Sequence, residues 1–113
     1  SLLRREVSGD DTVLAVAALR LDTARHTVTW DGAPIDLTSK EFALLRYFIA
    51  NAGQVLSQER LLEHVWDEMV DPFTNTVRVT VGTLRRKLAL VTDRALIETV
   101  IGSGYRLIDH EPT

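Results

Sequence analysis

The chain contains no cysteine and a single methionine. Without cysteine there is no disulfide framework and no thiolate metal site, which fits a reducing cytoplasm. No run approaches the roughly 18 apolar residues that a membrane helix needs. The stretch from Val13 to Leu21 is too short and carries Arg20. No signal-peptide pattern opens the chain. Histidine is sparse and scattered: His26, His64 and His110 fall in a strand, a helix and the tail. No His-Glu-x-x-His pattern, P-loop or nucleophile elbow occurs, so neither catalytic nor metal-binding residues are expected, and no cofactor. Exposed aromatic platforms are also lacking, with Trp30 and Trp66 reading as core packing, which disfavours single-stranded RNA. There is no overall basic surplus: the formal net charge is -3. That excludes a protein coated in positive charge, while leaving the local field at any one face open.

What is present is enough apolar material for one core, 45% of 113 residues. A second domain would be hard to fit. Residues 1–12 have the composition of a linker: Leu2 and Leu3 with Arg4 and Arg5, then the acidic, glycine-bearing EVSGDDT. Residues 13–109 carry the periodic signals, and 110–113 read as a tail.

From Val13 to Leu37 the pattern is that of short strands. Ala18 to Asp22 and His26 to Trp30 alternate apolar and polar, and Asp31-Gly32 is a strong hairpin signal. Ala33 to Leu37 follows as a further strand, with Pro34 suiting a sheet edge. A small antiparallel sheet of three or four strands is predicted. Thr38-Ser39-Lys40-Glu41 is a capping box, opening a helix with Phe42, Leu45, Phe48 and Ile49 at helical spacing. Gly53 is expected at the C′ position closing it. Val55-Leu56 lead to Ser57, the cap of a second helix with Leu61, Leu62, Val65 and Trp66. Asp71 and Pro72 suit the start of a third. Two alternating runs, Leu96 to Val100 and Tyr105 to Ile108, flank a turn holding Gly102 and Gly104, which predicts a closing hairpin.

The third helix, predicted over 74–91, has two faces. At about 100° per residue, Val77, Val81, Leu84 and Leu88 share a narrow arc. Opposite lie Asn75, Arg78, Gly82, Arg85 and Arg86, with Val79 and Thr83 toward one flank. This stretch holds four basic residues and no acidic one, in a chain of net charge -3. A helix that docks by one face and shows cations on the other suits the DNA major groove. A solvated charged face is the plainer reading of the same pattern. The order of sheet, three helices and hairpin predicts an α+β winged helix-turn-helix.

Several separate motifs carry a resemblance across about residues 13–108. Leu37 to Leu45, Leu56 to Leu62 with Val65-Trp66, Val77 to Leu88, and Glu98 to Leu107 are similar to the C-terminal effector domain of OmpR/PhoB-type response regulators. The resemblance implies a bacterial two-component transcription factor that binds double-stranded promoter DNA. It further implies an upstream receiver domain, whose end or linker would be the opening SLLRR, a cognate histidine kinase, and dimers on tandem half-sites. The positions it implies as facing DNA are Asn75, Arg78, Val79, Thr80, Gly82, Thr83, Arg85 and Arg86, with Thr99 on the wing. The loop Asp67, Glu68, Met69, Val70 and Asp71 is implied as a contact for RNA polymerase, through its sigma or alpha subunit.

The chemistry of these positions leaves alternatives. Arg78, or Arg85 if it reaches, can bridge guanine O6 and N7. Val79 can pack a thymine methyl or cover a neighbouring loop. Asn75 can read adenine or hold a phosphate, Thr80 and Thr83 can donate to phosphates, and Arg86 and Lys87 suit phosphates better than bases. Asn75, Arg78, Thr80, Gly82 and Thr83 all depart from common family residues, as does Ile101 on the wing, where an arginine is frequent. The operator read must therefore differ, and minor-groove reading by this wing is disfavoured. A winged helix used only for protein interaction or dimerisation is the competing reading.

Overall fold

A computed structural model describes residues 13–66 and 76–108 of the chain. Strands β1 (Val13–Val16), β2 (Leu19–Asp22), β3 (Thr27–Trp30) and β4 (Ala33–Ile35) form an antiparallel meander in that spatial order. Helix α1 (Ser39–Ala50) follows, then β5 (Val55–Leu56), α2 (Gln58–Val65), α3 (Thr76–Ala89), β6 (Ile97–Val100) and β7 (Gly104–Leu107). A second sheet has the order β5-β7-β6.

Asp31 and Gly32 take φ of 50° and 87°, the two positive values of a type I′ turn, and set Trp30 opposite Ala33. Pro34 lies on the edge strand β4, as its missing N–H requires. The fourth strand, β1, turns into β2 through Ala17 at φ 54°. That conformation is normally left to glycine, asparagine or aspartate, so nothing in the residue types announces the turn. His26 begins no strand. It has φ 58° and stacks on Phe42 at 3.8 Å between ring centroids, and β3 starts one residue later.

The core is continuous. Leu19, Leu21, Val28 and Ile35 from the first sheet meet Phe42, Leu44, Leu45, Phe48 and Ile49 of α1. Leu61, Trp66, Leu96, Ile97 and Leu107 complete it with the α3 stripe of Val77, Val81, Leu84 and Leu88, as the periodicity predicts. Burying each leucine or valine side chain contributes roughly 1.5–3 kcal/mol, which fixes the docked face of α3. Trp30 packs against this cluster too, so neither tryptophan is an open platform.

The capping box forms in full: the Thr38 hydroxyl accepts from the Glu41 amide, and the Thr38 amide donates to Glu41 Oε1 at 2.9 Å. Ser57 caps α2 by accepting from the Arg60 amide at 3.0 Å. Helix α1 ends differently from expectation. Asn51 is its C-cap, and its side chain donates to the Tyr47 carbonyl at 2.9 Å. Gly53, two residues beyond, has φ 84° and donates its N–H to the Leu107 carbonyl at 3.0 Å, tying the end of α1 to the second sheet. Val55-Leu56 are more than a lead-in: they pair with Arg106 and Tyr105 as a third strand beside the hairpin. The expected N-cap Asp71 and N1 residue Pro72, and the start of the third helix at 74, lie outside the described residues.

Glu41 is 4% exposed yet charged. Burial alone would raise its pKa. Hydrogen bonds from Lys87, Thr83 and the Thr38 backbone outweigh that and bring it from an ordinary 4.5 to about 2. Because the folded value is depressed, the stabilisation is complete above pH 4.5 and is lost as pH falls toward 2. The shift corresponds to at most about 3 kcal/mol, reduced because Lys87 is a third exposed to solvent. Glu41→Gln is expected to lower stability at pH 7 by about 2 kcal/mol. It should also flatten the acid-induced loss between pH 4.5 and 2, measured by urea unfolding across pH. Parallel pH profiles for variant and parent would refute the assignment.

Candidate nucleic-acid interface

Helix α3 is held by its buried stripe, so the other side chains divide by what stands beside them. Toward α1, Lys87 Nζ donates to Glu41 Oε1 at 2.6 Å. Lys87 is therefore an anchor between helices and not the phosphate contact that its place in the basic run suggests. Thr83 leans the same way: its hydroxyl lies 3.0 Å from the Thr80 carbonyl and within reach of the Glu41 carboxylate, and its single proton is shared between these two acceptors. Thr80 donates to the Thr76 carbonyl at 2.8 Å. Both hydroxyl protons are thus committed within the fold, and an outside group meets these threonines as acceptors, not donors.

Toward the hairpin, Arg85 Nη2 donates to Thr99 Oγ1 at 2.6 Å, and its guanidinium lies 5.8 Å from the centre of the Tyr105 ring. Sequence periodicity placed Arg85 on the outer face but could not show this partner, which comes from a different part of the chain.

The surface left between these flanks is made by Arg78, Val79, Gly82 and Arg86. Arg78 and Arg86 are exposed. Val79 is 59% exposed, so it is open to solvent. A Cβ at Gly82 would meet nothing within 4 Å, so the helix backbone is bare there. Asn75 and the acidic loop Asp67, Glu68, Met69, Val70 and Asp71 fall outside the described residues.

The hairpin stands beside this surface. Ser103 N–H donates to the Val100 carbonyl at 2.9 Å, closing a reverse turn with Gly102 at φ 81°. Ile101 at its tip is 94% exposed. Gly104 has φ 141°, and a Cβ there would come within 2.1 Å of the Leu56 carbonyl oxygen, so only glycine lets the hairpin seat against β5. Arg106 pairs with Glu98 across β6 and β7, which gives it a structural task. Thr99, one strand position away, is exposed.

Among the described residues the remaining titratable groups form no second centre. Glu63 and His64 are sequence neighbours that would not share a helix face, yet their side chains approach to 3.6 Å. His64 also stacks on Tyr47 at 5.0 Å. Among the described residues no cluster of three or more His, Asp or Glu could hold a metal ion, and no helix is long and apolar enough to cross a membrane.

A helix presenting a cationic, acid-free face, a second helix packed across it and a β-hairpin latched beside it define a winged helix-turn-helix. Residues 32–107 match the family described as "Transcriptional regulatory protein, C terminal". The chain belongs to this family, the effector domains of OmpR/PhoB-type response regulators. It is 52% identical over 95 residues to the transcriptional regulatory protein CutR of Streptomyces coelicolor, covering 84% of this chain and 42% of CutR. It is 42% identical over 92 residues to CusR of Escherichia coli, covering 81% and 40%. The chain thus spans less than half the length of these relatives. Among solved structures, the Klebsiella pneumoniae RstA DNA-binding domain in complex with the RstA box superposes with a TM-score of 0.77 at 25% identity, over 87% of this chain and 98% of that one. The DNA-binding domain of E. coli CpxR gives 0.74 at 33%, over 86% and 96%.

Gly82→Ala should raise stability by about 1 kcal/mol, because the site is helical and the added methyl has open space. A urea midpoint at or below that of the parent would show that the bare backbone is already engaged within the fold.

Proposed function

We propose that the domain binds double-stranded promoter DNA sequence-specifically, as the output domain of a response regulator acting in the cytoplasm. The observation that carries this reading is the outer face of α3. Arg78, Val79, Gly82 and Arg86 form an open strip without an acidic side chain, on a helix locked in place by its other face. In the major groove, Arg78 is placed mid-strip to bridge guanine O6 and N7, and Val79 to pack a thymine methyl. Gly82 lets the backbone come close. Arg86, nearer the helix end, suits a phosphate. Asn75, the acceptors Thr80 and Thr83, and Thr99 on the wing complete the proposed contact set. Glu59 and Glu63, exposed on α2, would orient the domain by repulsion from phosphates.

The same reading includes the receiver domain and histidine kinase of a full-length regulator, pairing of two copies on tandem half-sites, and contact of loop 67–71 with RNA polymerase. Titrating the domain against duplexes selected from a random pool tests the central claim. Affinity should fall steeply with salt, by one slope increment for each phosphate contact. A selection that yields no enriched duplex, with no binding even at low salt, would leave a protein-interaction module as the function.

Within that assay Arg78→Ala is expected to lose discrimination among duplexes, at a cost of about 1–3 kcal/mol on the preferred one. An equal loss on every sequence would make it a phosphate clamp instead. Arg86→Ala should weaken all sequences alike and lower the salt slope by about one contact; an unchanged slope removes it from the interface. Gly82→Ala should bind more weakly although it folds more stably.

A further inference from the structure

Arg85 sits on the flank of the proposed reading face, and its side chain is already occupied. Nη2 donates to Thr99 Oγ1 at 2.6 Å. Nε is cut off from solvent and meets no acceptor. The guanidinium lies 5.8 Å from the centre of the Tyr105 ring, whose negative face offsets part of the cost of that buried donor. Reading guanine takes two parallel N–H groups of the guanidinium fork. With Nε enclosed and one Nη2 proton engaged, the side-on edge of the fork, Nε with Nη2, is closed to a base in this pose.

The partners explain what the pose achieves. Thr99 lies on β6 and faces Tyr105 on β7, and Tyr105 in turn faces Leu56 on β5. One side chain from the middle of α3 therefore grips two strands of the hairpin sheet at once. Thr99 Oγ1 accepts from Arg85, so the hydroxyl proton is directed elsewhere, on an exposed residue.

We propose that Arg85 is a positioning residue: it latches the wing to the recognition helix and orients the Thr99 hydroxyl as a donor to a DNA phosphate, while reading no base itself. This rests on the DNA-binding reading above. It adds that the distance between the groove read by α3 and the phosphate met by the wing is set by one side chain.

The test is a double-mutant cycle on the whole 113-residue chain, with Arg85→Ala, Thr99→Val and the pair, binding a duplex selected from a random pool. Each single variant should lose roughly tenfold in affinity. The pair should lose no more than the weaker-binding single variant, and the ranking of base substitutions in the duplex should stay as in the parent. Without DNA, ¹⁵N relaxation of amides 100–103 should show larger fast motions in Arg85→Ala. Arg85→Lys keeps the charge but lacks the fork that reaches Thr99 and the Tyr105 ring together, and should loosen the same amides; its thermal melt checks that the fold survives. A changed base ranking, fully additive losses, or unaltered relaxation would each overturn the latch. If the parent binds no duplex, the DNA reading fails, and the relaxation comparison still decides the latch on its own.

Discussion

One buried carboxylate sets the rotation of the recognition helix, which its apolar stripe holds to the rest of the domain. Glu41 closes the capping box at the start of α1, receives Lys87 from the far half of α3 and lies against Thr83. A single acidic side chain thereby terminates one helix and orients another. The apolar stripe of α3 could tolerate small rotations about the helix axis at modest cost, because burial is not directional. A charged hydrogen bond at 2.6 Å is directional, and it selects one rotation. That rotation is the one in which Arg78, Val79, Gly82 and Arg86 look outward.

The fold is largely legible in the residues because its signals are local. The Thr38–Glu41 box, the Asp31-Gly32 turn, the Ser57 cap and the α3 stripe each depend on neighbours within a few positions. What was not legible depends on distant partners or on unusual backbone. The strand at Val55-Leu56 exists because Arg106 and Tyr105 come alongside it. The turn at Ala17 uses a conformation its residue type does not advertise. Gly53 looks like a helix terminator in sequence, and its N–H instead reaches Leu107 across the fold.

The candidate site divides in the same way. Exposure of Arg78, Val79 and Arg86 follows from periodicity alone. The tasks of Lys87 and Arg85 do not, since one answers to Glu41 in α1 and the other to Thr99 and Tyr105 in the hairpin. A run of cations in sequence is therefore not a count of DNA contacts. Two of the four basic residues between 74 and 91 are already engaged within the fold.

The two-residue strand β5 has a further consequence. It leads directly into the Ser57 cap of α2 and is paired to β7, with Gly104 pressed against the Leu56 carbonyl. The second helix and the wing are thereby parts of one stiff frame, and neither can be re-aimed without the other. Relatives built on this frame would diverge in target chiefly by exchanging side chains along the open strip of α3.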